Sequence, residues 1–237
     1  MQLNTNPHQQ RTPTRTRIKI CGLTREQDVE AAVAAGADAV GFVLYPKSPR
    51  YVSAERAAAL AARLPPLVTP VLLFVNAAAS DVIAASAGVA GAVLQFHGDE
   101  TAAECAALAT RCGRPYWRAA RIPAQGGAGF DLLKFAFDYS SAQAILLDAL
   151  VDGFGGGGKT FDWSLLPPSV PAHLVLSGGL TPANVGAGVA RLRGRGLSLA
   201  VDVSSGVESA KGIKDAQKIH QFAAAVRAAD AQISIPS

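Results

Sequence analysis

The chain has 237 residues, 49% of them apolar and only 17% charged, with 23 Gly and 14 Pro. An apolar fraction this high supports a folded core and excludes a wholly disordered chain, and no run of about 18 apolar residues is present to span a membrane. The net charge of +4 gathers early, at Arg11, Arg15, Arg17 and Lys19, so no basic face of a folded module points to nucleic acid.

Residues 1–16, rich in Gln, Asn, Thr and Pro, lack the apolar core of a signal peptide and read as a disordered extension. From Arg17 onward the chain alternates short apolar runs with Ala-rich stretches of helical spacing. The runs are RIKICG from Arg17, ADAVGFVLY from Ala37, LVTPVLLFVN from Leu67, GAVLQFHG from Gly91, PYWRAARI from Pro115, AQAILLDA from Ala142, HLVLSGG from His173 and SLAVDVSSG from Ser198. Continuous apolar runs predict strands covered on both faces, as in a parallel sheet.

Helices are predicted between them at Thr24 to Ala37, and in segments beginning at Ser53, Asp99, Thr181 and Gly212. Ser, Thr or Asp marks their starts, with Pro at a first helical position in one case. Eight strand-helix units predict an α/β fold, a single (β/α)8 barrel over residues 17–237, since closed barrels fill about 200 to 250 residues as one domain. An open, doubly wound sheet is the alternative that the same alternation allows.

Cys21, Cys105 and Cys112 cannot all pair and show no close metal-ligand spacing, which argues for a reducing, cytoplasmic compartment and against a metal module. In a barrel the chemistry sits where the strands end. Those ends carry Cys21-Gly22, Tyr45 to Arg50, Asn76, Gln95 to Gly98, Arg118 and Arg121, Asp148, Ser177 to Gly179, and Asp202 to Gly206.

The last two turns, Gly178-Gly179 and Ser204-Ser205-Gly206, sit where backbone N–H groups and a helix start hold phosphate, which implies a small phosphorylated substrate. Cys21 is either a buried small side chain or a thiol beside the room that Gly22 leaves for a ligand. Asp148 either caps the next turn or sits in the mouth as a general acid. Arg50 is a surface cation or a fork for a carboxylate, and His97 an orienting residue or a proton carrier. Lys19 lies within the first strand and faces inward or outward according to register.

The motifs KICGLT (Lys19 to Thr24), GFVLYPKSPRYVS (Gly41 to Ser53), LQFHGDE (Leu94 to Glu100), ILLDA followed by GGGGKTFDW (Ile145 to Trp163), LSGGLTPANV (Leu176 to Val185) and VDVSSGVE (Val201 to Glu208) occur in barrel order. With these six the chain resembles the phosphoribosylanthranilate isomerase family of tryptophan biosynthesis, from Arg17 to about Ala229. The resemblance implies an Amadori rearrangement of N-(5-phosphoribosyl)anthranilate, without metal or organic cofactor, by a monomer or homodimer. It implies Cys21 as general base and Asp148 as general acid. It places Arg50 on the anthranilate carboxylate, His97 and Asp202 among the substrate contacts, and Gly178, Gly179, Ser204, Ser205 and Gly206 around the phosphate.

The family's loop after strand 6 reads GGTG, whereas Gly157 stands here in place of Thr, so a looser loop is expected. A histidine-pathway aminoaldose isomerase is disfavoured by Cys21 where two aspartates would be needed. A noncatalytic phosphosugar-binding barrel would need neither Cys21 nor Asp148.

Overall fold

The protein is described by a computed structural model over residues 15–123, 130–150 and 160–233. Eight parallel strands close into a barrel in sequence order: β1 (Arg17–Cys21), β2 (Ala39–Val43), β3 (Thr69–Phe74), β4 (Val93–Phe96), β5 (Tyr116–Ile122), β6 (Ala144–Ala149), β7 (Leu174–Leu176) and β8 (Leu199–Val203). Closure is made by β1 against β8, where Lys19 pairs in register with Asp202.

Each strand splits its side chains between two layers because successive residues point to opposite faces. On β1, Ile18 and Ile20 face the surrounding helices, while Lys19 and Cys21 face the barrel axis. Inside the barrel, Ala39, Val71 and Val93 pack with Trp117, and Ala119, Ala144, Leu146 and Val175 pack beside them. Cys21, Val43, Leu73 and Val75 form a separate cluster with Tyr45. Phe42, fully buried on β2, points the other way into the helix layer. Its replacement by Ala is expected to cost about 3–5 kcal/mol, read as a lower denaturation midpoint with an unchanged slope.

Seven α-helices surround the barrel among the described residues: α1 (Glu26–Ala34), α2 (Ala54–Ala61), α3 (Ala79–Ala87), α4 (Ala102–Cys112), α5 (Leu132–Asp138), α6 (Val185–Leu192) and α7 (Ala216–Ile233). Sequence periodicity had not singled out α3 or α5. After β6, the described part of the crossover holds only a 3-10 turn at Trp163–Leu165, so the expected eighth helix is not found there. The Gly155 to Gly158 loop, including Gly157, lies outside the described residues.

The expected cap holds at Ser53, which accepts from the N–H of Arg56, whereas the helix expected from Asp99 is capped two residues later by Thr101, which accepts from the N–H of Glu104. Thr24 is different: its hydroxyl donates to the Gly212 carbonyl, 2.9 Å away, and α1 starts without a side-chain cap. The segment expected to begin the last helix at Gly212 is also different. Ile213–Lys214 forms β10, paired antiparallel with β9 (Glu208–Ala210), and α7 begins only at Ala216.

Residues 1–14 of the expected extension lie outside the described residues, and its last two lie against the barrel. Arg15 pairs with Asp38, and buried Thr16 gives its N–H and hydroxyl to Asp230 on α7, at 2.9 and 2.7 Å. Among the described residues the early cations are therefore matched by carboxylates, with Arg17 also on Asp38 and Lys19 on Asp202.

Candidate active site

Strand parity decides what reaches the mouth. Cys21 ends β1 at 4% exposure. Beside it in register is Gly41 of β2, where a Cβ would stand 2.6 Å from the sulfur, so glycine is the residue that leaves the thiol its place. Two residues back on the same face, Lys19 is 1% exposed, with Nζ 2.9 Å from Asp202 Oδ2.

Burial pushes the Cys21 thiol above its ordinary range, and the nearby Lys19 ammonium offsets only part of that. Burial also works against the charge on Lys19, but Asp202 and the Cys21 thiol more than reverse this, so the lysine stays charged. Asp202 Oδ1 is buried and has no hydrogen-bond partner among the described residues.

On the other side of the ring, Asp148 of β6 is 5% exposed. Its Oδ2 lies 2.9 Å from His97 Nε2, and its Oδ1 accepts the N–H of Ala149 at 3.0 Å. His97 Nδ1 in turn lies 3.1 Å from Gln95 Nε2. An amide nitrogen can only donate, so Nδ1 accepts, and the imidazole proton on Nε2 points to Asp148. Gln95 and His97 reach this row because Val93, Gln95 and His97 share the inner face of β4. Both ring nitrogens of His97 are thus engaged with the protein, and its visible role is to orient Asp148.

Arg50 is 8% exposed rather than on the surface. Its Nε and Nη2 donate to Glu208 Oε1 and Oε2 at 2.7 and 2.9 Å, a two-pronged pair. Gly22 permits this: its φ is +76°, and a Cβ there would lie 2.5 Å from Arg50 Cδ. The room beside the thiol is therefore filled by the Arg50 stem and not by a ligand. Lys214 of β10 donates to Glu208 Oε1 at 2.8 Å and to the Ser204 carbonyl at 3.0 Å. Burial alone would raise Glu208, but Arg50 and Lys214 together hold its carboxyl below the ordinary range.

Gly178 has φ +77°, and a Cβ on it would lie 2.6 Å from Ala149 N and 2.8 Å from Asp148 Oδ1. A side chain here would push directly on the carboxylate. Gly179 turns its carbonyl to Asn184 Nδ2, 3.0 Å away, at the start of α6. Ser204 precedes a 3-10 turn, Ser205–Val207, whose first N–H groups have no partner within the turn. Gly206 packs on the Leu180 carbonyl, so the turns after β7 and β8 lie side by side.

Three of the strand-end candidates serve the scaffold. Arg118 points outward, donates to the Phe96 and Gly98 carbonyls at 2.9 and 3.0 Å, and lies over the Tyr139 ring. Asn76 bonds to Asp99, and Arg121 pairs with Asp99. In contrast, Lys214 had no signal in the sequence, because its strand read as the start of a helix from Gly212, and Glu208 stood only as the last residue of the VDVSSGVE motif, with no role attached. Lys19 and Gln95 had one: each stands two residues before a candidate on its own strand.

The chain matches the family model for N-(5'-phosphoribosyl)anthranilate (PRA) isomerase over residues 18–225. The chain belongs to the phosphoribosylanthranilate isomerase family. It is 64% identical to the N-(5'-phosphoribosyl)anthranilate isomerase of Methylibium petroleiphilum over 220 residues, 93% of this chain and 98% of that protein. Among solved structures, phosphoribosyl anthranilate isomerase from Thermotoga maritima superposes with a TM-score of 0.78 at 39% identity, covering 90% of this chain and 99% of that one. A second isomerase of the family, solved with reduced 1-(o-carboxyphenylamino)-1-deoxyribulose 5-phosphate, gives a TM-score of 0.72 at 34% identity, with coverage of 90% and 99%.

Proposed function

We propose that Cys21 and Asp148 are the base and acid with which this chain performs its family's aldose-ketose isomerisation of phosphoribosylanthranilate, a step of tryptophan biosynthesis. The observation that carries the assignment is their placement. Both are buried on inward-facing strand ends, on β1 and β6, and each has its own polar partners.

Asp148, protonated, gives its proton to the furanose ring oxygen as the C1–O bond breaks, and the anthranilate nitrogen lone pair forms the C1=N bond. The cationic imine acidifies the C2 hydrogen. Cys21, as thiolate, takes that proton, and the C–H electrons form C1=C2 while the imine is neutralised to an enolamine. The enol oxygen then loses its proton and C1 gains one, which gives the aminoketose. Proton exchange with solvent returns Cys21 and Asp148 to their starting forms. Ring opening and C2–H removal are thus covered by two proton-transfer groups, each worth about 10²–10⁴ in rate.

Substrate placement follows the same geometry. The phosphate belongs at Gly178, Gly179, Ser204, Ser205 and Gly206, where two turns and a helix start converge. Asp202 Oδ1 is the acceptor for a ribose hydroxyl. Arg50 keeps Nη1 for the anthranilate carboxylate while Glu208 holds Nε and Nη2. His97 meets the substrate through the carboxyl group that it orients.

All three cysteines are free thiols, and among the described residues no helix is long and apolar enough to cross a membrane. A reducing cytoplasm suits a base that must remain a thiol or thiolate. The test is to generate phosphoribosylanthranilate in situ and follow loss of its fluorescence on adding the chain. Steady turnover is expected. Binding of a product analogue without turnover would favour a phosphosugar-binding barrel instead.

A further inference from the structure

We infer that Lys19 is a positioning residue for the base: clamped by Asp202 beneath Cys21, its ammonium stabilises the thiolate and sets the pH at which Cys21 can accept a proton. The inference rests on the reading of Cys21 as the base, and three observations carry it.

The first is place. Lys19 and Cys21 share the inner face of β1, two residues apart, and Lys19 is almost wholly buried. A buried ammonium is costly unless it is paired, so a lysine here needs anionic neighbours. Asp202, directly across in the β1–β8 register, is one of them, at 2.9 Å. An ammonium has three N–H donors, and one carboxylate oxygen does not use them all.

The second is a charge count around the end of β1. Lys19, Lys214 and Arg50 are its cations, and Asp202 and Glu208 its carboxylates. Glu208 serves both Arg50 and Lys214, and behind the hairpin Arg25 and Asp28 pair with each other. Strand β2 contributes Gly41 and no charge. The next titratable groups, His97 and Asp148, pair with each other on β4 and β6. With all five charged, the excess is one positive charge, which favours proton loss from Cys21 without overcoming its burial, and burial of Lys214 narrows that excess.

The third is direction. Burial acts to keep Cys21 as a neutral thiol, and Lys19 is the foremost group acting against it, with Lys214 a smaller one. Asp202 acts in the opposite sense, raising the thiol. The two partners therefore predict shifts of opposite sign when each is neutralised, which a purely structural role would not produce.

The experiment is a pH titration of thiolate ultraviolet absorbance in the intact chain, with Cys21→Ser as the subtracted reference for Cys105 and Cys112. Lys19→Met, similar in length but neutral, is expected to move the Cys21 midpoint up by about one pH unit or more, a tenfold smaller thiolate fraction at a fixed lower pH. The acid limb of kcat/KM should move with it. Lys19→Arg should return the midpoint most of the way. Asp202→Asn should move it down where Lys19 keeps its charge, and should Lys19→Met fail to fold, Lys19→Gln, also neutral and able to hydrogen-bond Asp202, takes its place with the same upward shift expected. An unchanged or lowered midpoint in Lys19→Met or Lys19→Gln overturns the inference. Full turnover by Cys21→Ala would remove the base assignment itself, which the titration does not depend on.

Discussion

Asp148→Asn is expected to lower kcat by about 10²–10⁴, equivalent to about 3–5 kcal/mol of barrier, with little change in KM and a loss of about 1–3 kcal/mol in stability from the unpaired Ala149 N–H. The side chain keeps its shape. The amide oxygen can still accept from His97 Nε2, which holds the carboxylate oxygen at 2.9 Å in the wild type, while Nδ2 turns to the Ala149 N–H and that hydrogen bond is lost. What the amide lacks is a carboxylic proton to place on the ring oxygen as the C1–O bond opens. Fluorescence decay of phosphoribosylanthranilate at saturating substrate measures the effect. A kcat within a few-fold of wild type would show that ring opening draws its proton from elsewhere.

Cys21→Ala is expected to cost a similar factor of about 10²–10⁴ in kcat, and Cys21→Ser nearly as much, because a hydroxyl is a far weaker source of an anionic base than a thiol. Gly41 lies against the sulfur, so the lost atom leaves only a small gap and folding should be preserved. Cys105→Ala is the matched control. Its thiol lies in α4, pushed by burial to about 12, and it faces the helix layer, so kcat should not change. Loss of activity in the Cys105 variant with retention in the Cys21 variants would reverse the assignment.

The barrel was legible because its signal is a count of alternating units, and eight apolar runs survive errors at any single boundary. The placement of Cys21 and Asp148 in the mouth was legible for a related reason: strand ends are where a barrel presents polar groups, and these two close apolar runs. The partners were not, since partnership depends on register. Lys19 meets Asp202 only because β1 lies beside β8 with those residues opposite, across 183 positions of sequence. The β9–β10 hairpin was read as helix because Gly212 to Lys214 precede a genuine amphipathic stretch. That reading hid Lys214, and Glu208, though it ends the VDVSSGVE motif, was not linked to Arg50, because that pairing depends on the hairpin. The eighth helix was inferred from symmetry of the repeat, and the described part of the crossover after β6 carries a 3-10 turn, Trp163–Leu165, instead.

The central claim is that turnover depends on Cys21 and Asp148 while substrate binding does not. The most direct measurement combines calorimetric titration of Cys21→Ala/Asp148→Asn with reduced 1-(o-carboxyphenylamino)-1-deoxyribulose 5-phosphate and the fluorescence assay on the same preparation. The double variant should bind the analogue with an affinity within a few-fold of wild type and show no turnover above background. Measurable turnover alongside intact binding would contradict the account.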